Sequence, residues 1–297
     1  MTDWCAQESR TRGEGPLGTA SRARRWLLLE QPGSWGRDAL RASDLPAAVA
    51  EQLEAWSREV PVRVLLLRRP GGDRPLGAER LLYAGVSAPQ GSWLEAIELG
   101  HVREVLDLDV SPLRDGRSIG GIRVVDPLYL VCTNGKHDPC CAKFGLPVAQ
   151  SLLDVVGDRV WECSHVGGDR FAGNLVCLPD GLFYGHLDAD TARVAVAANE
   201  GGRIDLDHFR GRSCHAFPVQ AAEALARQRM GLQGTGALRV VDVQRAGDRH
   251  RVRFARPGGR RLVVEVVTRR DAPPAPLTCG GLPGAAPSYE LVHLAED

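Results

Sequence analysis

The chain has 297 residues, 43% hydrophobic and 25% charged, which is enough apolar material for a packed core and too much for wholesale disorder. Its 37 Lys and Arg residues equal its 37 Asp and Glu residues, a balance that argues against a basic nucleic-acid binder or a polybasic membrane sensor. No run approaches the ~20 apolar residues of a membrane span, and the opening MTDWCAQESRTRGEG lacks the apolar stretch of a secretory signal, so the expected location is the cytoplasm.

Residues 26–29 read as a short apolar strand followed by a Pro-Gly turn. Ser43 or Asp44 is placed to cap a helix with Pro46 in its first turn, and Val49, Leu53, Trp56 and Val60 follow a 4-3-4 spacing that makes one apolar face. Pro61 stops that helix. The continuous apolar run 62–67 has the pattern of a strand buried on both faces, and 81–86, 94–99 and 105–110 read as further strands. A polar, Gly-rich segment at 114–121 marks a boundary, after which the pattern restarts. Strand 128–132 precedes a helical stripe (Val148, Leu152, Val155) closed by Gly157, then comes strand 160–163. Strands 175–178 and 182–186 flank the hairpin signal Pro179-Asp180-Gly181, and a helix over 217–230 carries Pro218 in its first turn and Gly231 after its end. This second block has the element order of a thioredoxin-like domain. From Ala237 the tail alternates as short strands at 238–243, 251–254 and 262–267, a small β appendage. The fold class is α/β.

Eight cysteines in a reducing compartment point to metal binding or redox chemistry rather than to a disulfide framework. Cys132, Cys140, Cys141, Cys163 and Cys177 crowd into one stretch, while Cys5, Cys214 and Cys279 lie alone. The chain has no GxxxxGK[ST], HExxH or CxxC and no strand-bound GxGxxG, which disfavours nucleotide hydrolysis, dinucleotide chemistry, zinc proteolysis and dithiol exchange. What remains is LVCTNGKHDPCCAKFG (130–145) and WECSHVGGDRFAGN (161–174). In the first, Cys140 and Cys141 lie at or just before a helix N-terminus, where the dipole and unpaired N–H groups favour thiolates. The second follows the next strand and should emerge at the same sheet edge as Cys132. His165 and Asp169 are four apart, a spacing that aims both one way if Gly167-Gly168 begins a helical turn, and the glycines let the backbone approach a cofactor.

These segments resemble the sucrase/ferredoxin-like family, a branch of the thioredoxin-like [2Fe–2S] ferredoxins. The likeness also takes in CAQESRTRGEG and ARRWLLLEQPG near the start, the run SHVGGDRFAGNLVCLPDGLFYG, and LTCG around Cys279. It implies two tandem thioredoxin-like domains, 1–118 without a cluster and 119–235 with a [2Fe–2S] cluster, followed by a C-terminal β-strand extension over 236–297. In the family the cluster is held by two cysteines and the two histidines of an HxGGH motif. Cys132 and Cys141 match the cysteines and His165 the first histidine, while Asp169 stands where the second would be. Oxygen suits cluster iron poorly, so the fourth ligand stays open between Cys163 and Asp169, with Cys140 as third choice. The resulting expectation is a cytosolic one-electron carrier rather than an enzyme, with an unknown redox partner protein and neither nucleic acid nor membrane. Lys136, His137 and Arg170 could steer an acidic partner, a solvated rim being the simpler reading. Nothing supports the "sucrase" of the family name, because Asp188 and Asp190 read as a polar turn rather than as facing carboxylates. Two alternatives remain: a structural zinc site of Cys132, Cys141, Cys163 and His165, and a thiol-redox protein using Cys140-Cys141.

Overall fold

A computed structural model of the protein describes residues 4–71 and 79–296. The first half contains α1 (Cys5–Thr11), β1 (Arg25–Glu30), α2 (Ala47–Glu59), β2 (Arg63–Arg68), β3 (Arg80–Val86) and β4 (Trp93–Leu99). There follow β5 (Ile122–Val124), β6 (Leu128–Cys132), α3 (Pro139–Val156), β7 (Val160–Cys163), β8 (Leu175–Leu178) and β9 (Leu182–Tyr184). The chain continues through α4 (Ala189–Glu200), β10 (Phe209–Arg212) and α5 (Phe217–Met230), and ends in β11 (Arg239–Ala246), β12 (Arg249–Ala255), β13 (Arg261–Arg269) and β14 (Ser288–Glu296).

Three local expectations need correction. The strand expected at 105–110 is replaced by 3-10 turns at Val102–Asp107 and Ser111–Asp115. Val102, Val105 and Leu108 recur every third residue, which is the period of that helix, and the His101 ring accepts the Arg103 N–H at 3.1 Å to start it. Helix α2 begins directly after Pro46, with no side-chain cap from Ser43 or Asp44. The polar turn expected around Asp188 is the start of α4: Asp188 accepts the Thr191 N–H, and the Thr191 hydroxyl accepts from the Asp188 N–H, a reciprocal cap.

The ten strands β1 to β10 form one mixed sheet in the order β10-β9-β8-β6-β7-β2-β1-β3-β4-β5. Its two halves repeat one connectivity. In each, a strand pairs parallel with its successor across a helix (β1 with β2, β6 with β7) and antiparallel on its other side with the next strand, which a fourth strand extends. The halves join edge to edge through a short antiparallel pairing of β2 with β7, Leu67 opposite Cys163 and Arg68 opposite Glu162. Strand β5, which follows the Gly-rich boundary segment, pairs back onto β4.

Alternation along the strands sorts side chains onto two faces. On the outer face Leu27, Leu29 and Leu66 pack with Val49, Leu53 and Trp56 of α2, while Tyr129, Val131 and Val160 pack with Val148 and Leu152 of α3. On the other face, Trp26, Leu28, Leu65 and Leu67 of the first half form one cluster with Leu128, Leu130, Trp161, Val176 and Phe183 of the second. Trp26 of β1 reaches Phe183 of β9 with ring centroids 6.4 Å apart, and Tyr83 of β3 meets Trp161 of β7 edge-on at 6.0 Å. Such contacts between strands distant in the sheet order require the sheet to curl, so the halves share one inner core.

The second sheet, β11-β12-β13-β14, is antiparallel throughout and packs its apolar side against Val219, Ala222 and Ala226 of α5. Helix α5 also carries Glu223, buried, whose Oε1 accepts from Arg212 Nε at 3.0 Å and Arg227 Nη2 at 2.9 Å. Burial pushes the Glu223 carboxyl up, but the two guanidiniums outweigh it and hold it at about 2. Glu223→Gln keeps the shape and strands two buried cations, and it should lower unfolding free energy by about 3–5 kcal/mol in urea titrations. Because the folded pKa lies below the unfolded one, this contribution is present above about pH 4.5 in the wild type and is lost as pH falls through about 2.

Candidate metal centre

Parallel pairing sets Cys132, at the end of β6, in register with Cys163 at the end of β7, so the loops that follow leave from one sheet edge. After Cys132 the chain turns through 133–138 and enters α3 with Pro139 at its first position. Asp138 caps that helix, its Oδ1 accepting the Cys140 N–H at 2.8 Å. Cys140 and Cys141 therefore lie in the first turn, where the helix dipole favours thiolates. The helix rests directly on the strand end. A Cβ at Gly145 would lie 2.2 Å from the Cys132 carbonyl oxygen, so only glycine lets α3 bring Cys141 this close to Cys132.

Four side chains meet here. His165 Nδ1 is 4.0 Å from Cys132 Sγ, 3.9 Å from Cys141 Sγ and 3.1 Å from Asp169 Oδ1, and Cys141 Sγ is 3.7 Å from Asp169 Oδ1. The cysteines are buried, while the His165 side chain keeps 20% of its surface exposed. The Cys141 thiol hydrogen-bonds to Cys132 and holds the Cys132 thiol well below its ordinary range despite burial, with His165 and the Val166 N–H contributing in the same direction. Cys141, as the donor of that pair and itself buried, is pushed up. Burial pulls the His165 imidazole down, but the Cys132 thiolate and Asp169 outweigh it and leave it raised. Burial raises the Asp169 carboxyl, and His165 offsets only part of that. Two overlapping groups here could hold a metal ion, Cys132 with Cys141 and His165, and His137 with His165 and Asp169, each with its ligand atoms within 4.8 Å of one another.

The convergence of His165 and Asp169 has a different cause from the one expected. Gly167 and Gly168 have φ of 92° and 83°, so no helical turn begins at them; the 3-10 turn starts at Asp169. The two left-handed residues fold the loop back instead, and Arg210 holds it there. The buried Arg210 guanidinium donates to Gly167 O at 2.9 Å, Asn174 Oδ1 at 2.6 Å and Thr19 O at 2.6 Å, and burial lowers its pKa to about 9.

Cys163 lies in the inner core, where burial raises its thiol, and its sulfur joins no metal-capable group among the described residues. Cys140 faces away from His165 toward Cys5 and Cys279, so the two sulfurs of the vicinal pair have different neighbours. Arg63 and Arg210 at the site carried no signal in the sequence, whereas His137 was expected there only as a rim charge. His137 stacks on His165 with ring centroids 3.7 Å apart, and Arg63 donates to the His165 carbonyl at 2.9 Å. Of the rim charges, Lys136 is exposed, whereas Arg170 is engaged by Glu14 at 2.7 Å.

A model of the sucrase/ferredoxin-like family matches residues 16–211, which takes in the ten-stranded sheet up to Gly211 and Cys132, Cys141, His165 and Asp169. No curated protein and no solved structure matches the chain.

Gly145→Ala drives a methyl group into the Cys132 carbonyl. It should cost about 1–3 kcal/mol in chemical denaturation and weaken metal retention by separating Cys141 from Cys132. Measuring both on the same preparation checks the role of the close approach.

Proposed function

The chain belongs to the sucrase/ferredoxin-like family, and from that premise we propose that it is an electron carrier holding one [2Fe–2S] cluster through Cys132, Cys141, His165 and Asp169. The observation that carries the reading is the meeting of these four donors at one sheet edge, each within 4.0 Å of another. The donors divide into a sulfur pair and an imidazole–carboxylate pair, which suits a two-iron cluster taking two ligands on each metal. Asp169 rather than Cys163 supplies the fourth donor, since Asp169 Oδ1 faces both Cys141 and His165. In the same reading the two halves of the large sheet are tandem thioredoxin-like units, a view supported by their repeated connectivity.

When bound, the cluster accepts and releases a single electron. The chain's own residues bind it, shield it and expose one side of it. The buried cysteines lie on the inner side of the group, and the partly exposed His165, with His137 stacked on it, forms the outer side through which a partner exchanges electrons. Exposed Lys136 beside that stack supplies a positive edge for an acidic redox partner. A cytoplasmic setting would keep closely spaced thiols such as Cys140 and Cys279, their sulfurs 3.4 Å apart, from cross-linking. No helix among the described residues is long and apolar enough to cross a membrane.

A mononuclear zinc site is the second reading, favoured by one measurement. The ligand atoms of Cys132, Cys141 and His165 all lie within 4.8 Å of one another, a span that one tetrahedral ion can bridge. Anaerobic purification separates the two. The expected product is red-brown with about two irons and two acid-labile sulfides per chain; a colourless protein with zinc at this group would overturn the cluster. Cys132→Ser, Cys141→Ser and Asp169→Ala should each abolish or alter the visible spectrum, and Cys163→Ser should leave it intact.

His165 links the electron to a proton. Its Nδ1 faces the other donors, which leaves the second ring nitrogen free to titrate. The oxidised site is more positive and lowers the imidazole pKa, and reduction raises it. Between those two values reduction takes up a proton, so the midpoint potential should fall as pH rises, with a limiting slope of about 59 mV per pH unit for one electron and one proton. His165→Cys should lower the potential and flatten the slope. Redox titrations of both proteins over about pH 6 to 10, which brackets imidazole ionisation, test this; a flat wild-type profile would remove His165 from the ligand set.

A further inference from the structure

A second thiol group lies beside the first, on the other side of α3. Cys5 Sγ is 3.7 Å from Cys140 Sγ, Cys140 Sγ is 3.4 Å from Cys279 Sγ, and Cys279 Sγ is 3.6 Å from Cys5 Sγ, a nearly equilateral triangle of sulfurs. Asp138 adds an oxygen: its Oδ2 is 3.9 Å from Cys5 Sγ, and all four ligand atoms lie within 4.8 Å of one another. The three cysteines come from the N-terminal helix, the start of α3 and the segment before β14, so no local packing rule places them together.

We propose that Cys5, Cys140, Cys279 and Asp138 form a second metal site, distinct from the family's cluster centre, that binds one Zn2+. The geometry is that of a tetrahedral thiolate ion, since Zn–S bonds of about 2.3 Å put neighbouring sulfurs about 3.8 Å apart, whereas sulfurs on different irons of a cluster stand farther apart. The Cys140 thiol is lowered to about 7, chiefly by the hydrogen bond from Cys5, while Cys5 and Cys279 are pushed up. The Ala6 N–H hydrogen-bonds to the Cys140 sulfur and the Cys5 N–H to that of Cys279, so backbone donors already point at the ligand atoms. Three thiols left to themselves make only weak hydrogen bonds with one another, which gives little reason to bury Cys5 and Cys140 completely. Ala6, Ala172, Trp4 and Phe144 pack around the group as an apolar wall, and the partly exposed Cys279 leaves an entrance for the ion.

Asp138 is positioned from outside as well as inside the helix. Its Oδ1 caps α3, and its Oδ2 accepts from Thr278 Oγ1 at 2.8 Å and the Cys279 N–H at 2.7 Å. These bonds hold its carboxyl below the usual range against its burial, so it presents a charged oxygen to the ion. Binding exchanges the thiol protons for the metal, with no change of oxidation state. Residues 5 and 279 both lie outside the span matched by the family model.

The test is a titration of full-length, metal-free protein in which Cys132→Ser and Cys141→Ser have removed the first group. Co2+ serves as the probe, followed by displacement with Zn2+. One equivalent of Co2+ should bind with the near-ultraviolet charge-transfer bands of cobalt thiolate and the visible bands of tetrahedral cobalt, and Zn2+ should erase both. Adding Cys279→Ser should abolish that spectrum. Asp138→Asn, which remains a good helix cap, should weaken Co2+ binding by at least about 10-fold. An unchanged cobalt spectrum after Cys279→Ser, or none in a parent whose far-ultraviolet circular dichroism is native, overturns the site. So does a Cys140–Cys279 disulfide that reductant opens without metal uptake. If the parent does not fold, zinc per chain is counted by native mass spectrometry in otherwise wild-type protein and in Cys279→Ser. Loss of one zinc supports the site, and equal zinc refutes it. The visible spectrum of Cys279→Ser should stay that of the wild type, so failure of this site and failure of the cluster reading give different results.

Discussion

The close approach of α3 to the end of β6 is the contact on which the rest of the site depends. Gly145 lies so near the Cys132 carbonyl that no side chain fits between them. That proximity decides how near the first turn of the helix comes to the strand end, and therefore whether Cys141 lies close enough to Cys132 for both to reach one metal ion. The cap at Asp138 then sets the rotation of that turn, and the parallel pairing of β6 with β7 delivers the His165 loop to the same edge. The loop's final shape is held from further away by Arg210. Each constraint is ordinary backbone geometry, and together they bring donors from distant parts of the chain into one group that could hold a metal ion.

The curled sheet gives this edge a rigid foundation. Side chains from both halves interleave on the inner face, with Trp26 against Phe183 and Tyr83 against Trp161. The halves repeat one strand order, yet each would expose that inner face if separated from the other. The first half is thus a structural partner of the second, whatever its ancestry. Arg63, which enters from β2 of the first half, makes the same point at the site by holding the His165 carbonyl from across the junction.

Much of this was legible in the sequence. Cys132 and the vicinal cysteines could be placed at a strand end and at or just before a helix start, because turn-forming residues separate the two apolar patterns. His165 followed from the parallel order of β6 and β7. The approach of Asp169 to His165 was anticipated for a different reason, since it depends on two left-handed glycines rather than on helical spacing. Other features had no local signature. Cys5 and Cys279 meet across 274 positions of sequence, and Arg210 reaches its loop from β10. The segment 105–110 looked like a strand because its apolar residues were read as a run, whereas their spacing of three belongs to a tighter helix. The curl was also hidden, for the pairing of β2 with β7 involves only two residue pairs.

Cys140 and Cys141 occupy successive positions about 100° apart around one helix, and their sulfurs belong to different groups of side chains. The first turn of α3 therefore works as a crank with a thiol on each arm. A small rotation that lengthens contacts on one arm must displace the other, because the peptide between them leaves no slack. Asp138 serves as the bearing, gripping the turn by its Cys140 N–H and the C-terminal segment by Thr278 and Cys279. A displacement of this turn as a whole would therefore carry both thiols with it, through a lever one residue long.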